Sequence, residues 1–191
     1  MTPEIYLVKV NSPIDKNTFQ YLFEYVQSTK QERILKQKIK QNADNMLIGE
    51  ILAKTVIKKT FGIDIAKQNF TYAEHGKPYL SDYSDVHFNI SHSEKYVVCA
   101  VSDKPVGADI QKIGEYNSDV VKRVCNEKEL KLIEDNLDKA SEFTRFWTQK
   151  EAVLKIHGTG IASDDIKNCL DNHNVQSERI EDYWVSFCEK S

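Results

Sequence analysis

No apolar run in this sequence approaches the roughly 18 to 20 residues that a membrane-spanning helix needs, so no membrane partner is expected. The opening MTPEIYLVKV has no basic segment followed by an apolar core, so it does not read as an export signal. Cysteine is sparse and scattered. Cys99, Cys125, Cys169 and Cys188 form no CxxC spacing, which excludes a cysteine-based zinc site and fits reduced thiols in a cytoplasmic protein. Cys99, inside the apolar run Val97 to Val101, reads as a small buried hydrophobe. Seven glycines and four prolines in 191 residues are too few for a low-complexity chain.

What is present is globular: 40% hydrophobic and 29% charged residues supply a real core within one domain or two small ones. The net charge of −3 conceals a basic stretch, Lys30, Arg33, Lys36, Lys38 and Lys40, continued by Lys54, Lys58 and Lys59. Acidic residues gather at Asp82, Asp85, Asp164 and Asp165. Such a basic stretch is commonly a solvated face. It can equally attract a phosphate-bearing ligand or an acidic partner. With a negative total charge, a general nucleic-acid binder is not expected.

Alternation marks a strand at Ile5 to Val10, ended by Asn11-Ser12-Pro13. Thr18 to Lys40 reads as helix with a break at Ser28-Thr29, and Met46 to Phe61 as a stronger helix closed by Gly62. A strand is expected at Phe70 to Tyr72 and a turn at His75-Gly76-Lys77-Pro78. Val86 to Ile90 and Tyr96 to Val101 read as strands around a turn, Ser91-His92-Ser93-Glu94, and Val106 to Ile110 as a third. Helices follow at Ser118 to Arg123, Asn126 to Leu137 and Ser141 to His157, then a strand at Tyr183 to Cys188. A helix ending in glycine, a polar loop and a strand thus occur in both halves, suggesting a duplicated α+β unit.

The last helix carries Phe146-Trp147-Thr148-Gln149-Lys150-Glu151-Ala152-Val153-Leu154-Lys155. At about 3.6 residues per turn, Trp147, Glu151 and Lys155 share one edge. A carboxylate one turn from an ammonium is either an ordinary surface pair or a place to hold a divalent cation beside a phosphate. Asp109, ending an apolar strand after Gly107, is either a turn former or a ligand. His92 alone would be an ordinary turn histidine.

GKP, FNISHS, GADIQ and WTQKEAVLK occur in this order, and together they resemble the Sfp-type 4′-phosphopantetheinyl transferases, from about Lys30 to Gly160. The resemblance implies an α+β fold: two similar halves, 1–103 and 104–191, packed as a pseudo-dimer with coenzyme A in the cleft between them. It implies transfer of the phosphopantetheine arm of coenzyme A to a serine of an apo carrier protein, releasing adenosine 3′,5′-bisphosphate. Magnesium would suit the diphosphate. Asp109 and Glu151 would be magnesium ligands, with Glu151 also the base and Lys155 neutralising the diphosphate. Ser91 and His92 would meet a coenzyme A phosphate, Lys77 and Pro78 the adenosine bisphosphate end, and Lys30 and Arg33 the 3′-phosphate. The carrier would be acidic, of fatty-acid, polyketide or peptide-synthetase type, and the enzyme a monomer.

The sequence departs from this pattern in three places. Gln111 stands where a second acid is common, and would be a neutral metal ligand or give way to water. Asn45 stands where an arginine often contacts the nucleotide. The chain stops soon after the Tyr183 strand, so the second sheet is expected to be incomplete. Two other readings stay open: a non-catalytic homologue binding coenzyme A or a carrier, favoured by Gln111, and a basic-helix nucleic-acid module.

Overall fold

The computed structural model describes residues 1–73, 76–158 and 166–190. Strand β1 (Glu4–Lys9) leads into helices α1 (Lys16–Phe23), α2 (Ser28–Leu35) and α3 (Lys40–Phe61). A single 3-10 turn at Ile65–Lys67 precedes the hairpin of β2 (Phe70–Tyr72) and β3 (Pro78–Leu80), then β4 (His87–Ser93) and β5 (Tyr96–Ser102). The second half follows the same plan without the hairpin: β6 (Val106–Lys112), α4 (Ser118–Val124), α5 (Glu127–Glu134), α6 (Lys139–His157), β7 (Gln176–Ile180) and β8 (Tyr183–Glu189).

Each half forms a three-stranded antiparallel sheet with its last strand in the middle, β1-β5-β4 in the first and β6-β8-β7 in the second. The fold is α+β with two similar halves. The expected duplication is therefore visible as topology although the two sequences do not repeat. The second sheet, expected to be incomplete, has as many strands as the first, because β7 pairs along β8 from Gln176 to Ile180. Its polar sequence QSERI gave no strand signal.

The central strand β5 is buried on both faces. Tyr96, Val98 and Ala100 pack on Val106, Ala108 and Ile110 of β6 and on Tyr183 and Val185 of β8. Cys99 and Val101 pack on Ala53, Val56 and Ile57 of α3. One apolar layer thus joins the two halves, and α3 covers the first sheet from outside. Cys99 is the buried hydrophobe expected of it, and burial pushes its thiol pKa up.

Local chemistry explains several helix ends. Asp15 caps α1 through the amides of Asn17 and Thr18; Asn126 and Glu129 form a reciprocal capping box on α5. Gly62 and Gly158 close α3 and α6 with φ of 73° and 68°, a conformation glycine adopts without strain. Gly160 and His75, which the sequence reading also used, lie outside the described residues.

Two expectations need correction. The helix expected to reach Lys40 stops at Leu35, and Ile39, within that expected helix, is an exposed residue at the start of α3. Val26 and Ile34 satisfy the apolar demand there by packing with Leu47 of α3. Ser91, His92 and Ser93 are not a turn but the end of β4, and the chain reverses at Glu94 and Lys95. Their polarity has another cause, described next.

Candidate active site

The edge strand of one sheet, β4, lies beside the edge strand of the other, β6, and side chains join them. Asn89 Oδ1 accepts from the amide of Ala108 at 3.0 Å, Ser91 Oγ from Ile110 at 3.4 Å, and Ser93 Oγ from Lys112 at 3.2 Å. Successive side chains on one face of a strand recur every two residues, so this N-x-S-x-S pattern makes a ladder across the gap. It satisfies amides that an edge strand would otherwise leave unpaired and fixes the register of the halves along the strand. Asp109 lies between the first two rungs.

Helix α6 is held close over the same strand. A Cβ on Gly107 would lie 1.9 Å from the carbonyl oxygen of Ala152, so only glycine permits this approach. The helix is anchored from behind by Lys150, which is 1% exposed in its side chain and pairs with Glu129 of α5 at 2.9 Å. Its ammonium also donates to the carbonyls of Ile166 and Lys167. Lys150 is therefore a structural member of the KEA triplet, and Glu151 points the other way.

The result is a compact charged cluster. Lys155 Nζ lies 2.5 Å from Asp109 Oδ1 and 3.1 Å from Ser91 Oγ, while Ser91 donates to the same carboxylate oxygen at 2.7 Å. Glu151 Oε1 is buried without any hydrogen-bond partner among the described residues. Burial first, and the negative charge of Asp109 second, raise the pKa of Glu151, and Lys155 pulls it back. An orphaned carboxylate oxygen beside a second carboxylate suits a hard divalent cation with oxygen ligands. Among the described residues no group of three or more His, Cys, Asp or Glu side chains is gathered for a metal.

His92, exposed on β4, extends the cluster toward α2. Desolvation by its surroundings, then the charges of Lys30 and Lys155, lower its pKa, with Asp109 opposing. Lys30 Nζ and Arg33 Cζ stand 5.9 Å and 5.4 Å from the centre of the Tyr72 ring. The electrostatic influences on His92 thus link Lys30 to Lys155 and Asp109, residues from three well-separated parts of the chain.

Comparison with known proteins adds an independent observation. The model for the N-terminal part of 4′-phosphopantetheinyl transferases matches residues 12–104, and that for the 4′-phosphopantetheinyl transferase superfamily matches 105–189. A 4′-phosphopantetheinyl transferase of Bacillus subtilis is 34% identical over 161 residues, 83% of this chain and 72% of its own. The chain belongs to the 4′-phosphopantetheinyl transferase family. The transferase gsp of Aneurinibacillus migulanus is 34% identical over 160 residues, with 83% and 67% of the two chains covered. The transferase Sfp of Bacillus subtilis strain 168 is 29% identical over 161 residues, with 83% and 72% covered.

Other residues singled out in the sequence of this transferase are placed differently. Lys77 donates to the carbonyls of Lys155 and Ile156 at 2.6 and 2.9 Å, capping the C-terminal end of α6 from the hairpin. Burial brings its pKa down to about 8. Pro78 begins β3 beside it. Gln111 is exposed and lines a cavity of about 340 Å³ with Phe143, Thr144 and Trp147. Asn45 is buried and donates to the Glu94 carbonyl at 2.6 Å, tying α3 to the β4–β5 turn.

The sequence reading missed the ladder residues Asn89 and Ser93, the packing role of Gly107, and a buried polar stripe on α3. The first had a signal: polar residues every second position within an apolar strand. The stripe, Asp44, Asn45, Glu50 and Lys54, had none beyond the helical period. No described helix is long and apolar enough to cross a membrane.

Proposed function

We propose that this transferase moves the 4′-phosphopantetheine arm of coenzyme A to a serine of an acidic apo carrier protein, in a magnesium-dependent reaction releasing adenosine 3′,5′-bisphosphate. The observation that carries the reading is the cluster of Asp109, Lys155 and the unpartnered Glu151 at the junction of the two halves. We divide the chain at 103/104, place coenzyme A in the cleft there, and take the enzyme to act as a cytoplasmic monomer.

Asp109 and Glu151 would hold magnesium, with Gln111 a neutral third donor or yielding to water. When bound, the cation supplies positive charge to the diphosphate oxygens. Lys155 exchanges part of its contact with Asp109 for a diphosphate oxygen and stabilises the charge that develops there. His92 and Ser91 bind the phosphates on the nucleotide side, Lys30 and Arg33 the 3′-phosphate. Lys77 with Pro78 holds the end of α6 and borders the adenosine bisphosphate.

The carrier serine approaches Glu151 beside the cleft. Its oxygen forms a bond to the β-phosphorus as the bond to the bridging diphosphate oxygen breaks, and Glu151 takes its proton. A basic rim at α2 and the start of α3 would favour encounter with an acidic carrier.

Intact mass of an apo carrier incubated with enzyme, coenzyme A and magnesium tests the proposal. A gain of one phosphopantetheine arm supports it; unchanged mass across a panel of fatty-acid, polyketide and peptide-synthetase carriers returns the chain to the non-catalytic reading.

A further inference from the structure

Glu50, on α3, is 1% exposed, and the function described so far does not use it. Among the described residues its Oε1 has no hydrogen-bond partner, and its Oε2 lies 3.5 Å from the Tyr72 hydroxyl, at the edge of hydrogen-bond reach. Lys54, one turn along the helix, directs its ammonium to the Gln68 carbonyl at 3.0 Å instead. A buried carboxylate so poorly satisfied is costly and needs cations nearby. They are supplied by α2: the same Tyr72 ring whose hydroxyl reaches Glu50 has Lys30 and Arg33 against it.

Two cations side by side in a partly buried wall repel each other and are penalised by desolvation. Burial and Arg33 both lower the pKa of Lys30, and Glu50 is the group that opposes them. The same carboxylate feels Lys30 first among its cations, then Lys54 and Arg33, while burial raises its own pKa.

We propose that Glu50 is a positioning residue: its buried carboxylate is the counter-charge that, across the Tyr72 ring, holds the Lys30 ammonium in place to meet the 3′-phosphate of coenzyme A. This rests on the function proposed above. Glu50 touches no ligand; it acts through Lys30, and Tyr72 sets the spacing between them. Without it, Lys30 loses its counter-charge and turns to solvent, and one phosphate contact is lost.

Equilibrium binding of coenzyme A and of 3′-dephospho-coenzyme A to wild type, Glu50→Gln, Lys30→Met and the double variant tests this without turnover. Glu50→Gln should weaken coenzyme A about tenfold, the loss of roughly one contact to a charged group. It should leave 3′-dephospho-coenzyme A unchanged and add nothing in the Lys30→Met background. In turnover, KM for coenzyme A should rise with kcat unaltered. Equal weakening of both ligands, or a full additional loss in the double variant, overturns the assignment and makes Glu50 merely structural. If Glu50→Gln does not fold, Tyr72→Phe serves: it should lower the preference for coenzyme A, and an unaltered preference overturns the proposal. Failure of wild type to bind either ligand instead sinks the functional reading beneath it.

Discussion

The Lys155 ammonium lies 2.5 Å from the Asp109 carboxylate, across 46 residues of sequence. The contact joins α6 to β6, and Ser91 of β4 hydrogen-bonds to both partners. The cluster is therefore assembled from both halves. A cation beside one carboxylate offsets the repulsion between two nearby acids. In the proposed reaction it also meets the charge of the diphosphate.

Lys155→Met should thus do two things. Activity should fall by about 100-fold or more, the usual loss on removing one donor to a developing anion. Stability should fall by about 1–3 kcal/mol, because Asp109 is left buried with one partner fewer. Initial rates and urea midpoints measure both. A variant that loses stability alone would make this lysine only a clamp.

Gly107→Ala is a test of the helix approach. The added Cβ would fall 1.9 Å from the Ala152 carbonyl oxygen, so α6 must move, at a cost of about 1–3 kcal/mol or more. Because Glu151 and Lys155 ride on α6, a folded Gly107→Ala enzyme should still lose about tenfold or more in rate, as misplaced catalytic groups do. Thermal melts and initial rates check this. Full activity would mean that α6 has more freedom than the packing implies.

These relationships show what could and could not be read from the chain. Periodicity found α3, α6, β5 and β6, and short motifs singled out Asp109, Glu151 and Lys155, because strand alternation, helical period and local spacing are sequence properties. The meeting of Lys155 with Asp109 depends on a seam between two sheet edges. Ser91 and Ser93 disguised it, since polar residues at a strand end look like a turn. Lys77 was legible as a basic residue in a turn, but its partners are backbone carbonyls 78 and 79 residues away. Glu50 lies on the covered side of α3, where a polar residue has no apolar pattern to betray burial.

Lys77 should leave a mark on stability against pH. Burial lowers its folded pKa to about 8, against about 10.4 in an unfolded chain. Between these values the unfolded chain holds the proton and the folded protein releases it, so this residue makes stability rise with pH. The burial penalty is fully present below the folded value and gone above the unfolded one. Lys77→Met should remove that rise. Urea midpoints of both proteins at about pH 7, 9 and 10 measure the difference; parallel curves would show that the carbonyls at the end of α6 hold the ammonium fully charged.

Gln111→Glu adds a charge at nearly constant volume. If the side chain swings from the cavity near Trp147 to face Asp109 and Glu151, a third carboxylate strengthens attraction for magnesium. The magnesium concentration for half-maximal activity should then fall with little change in maximal rate. Titration at fixed coenzyme A and apo carrier checks it; an unchanged midpoint would leave Gln111 in the cavity.

The most direct measurement is the intact mass of an apo carrier incubated with coenzyme A, magnesium and either the wild-type enzyme or Glu151→Gln. The substitution keeps the shape and the helix but removes the charge of the unpartnered carboxylate. The account expects the wild type to add one phosphopantetheine arm, and the folded variant to do so at least about 100-fold more slowly. A Glu151→Gln enzyme of near-normal rate at low magnesium would contradict it, returning Glu151 to the role of an ordinary half-buried side chain.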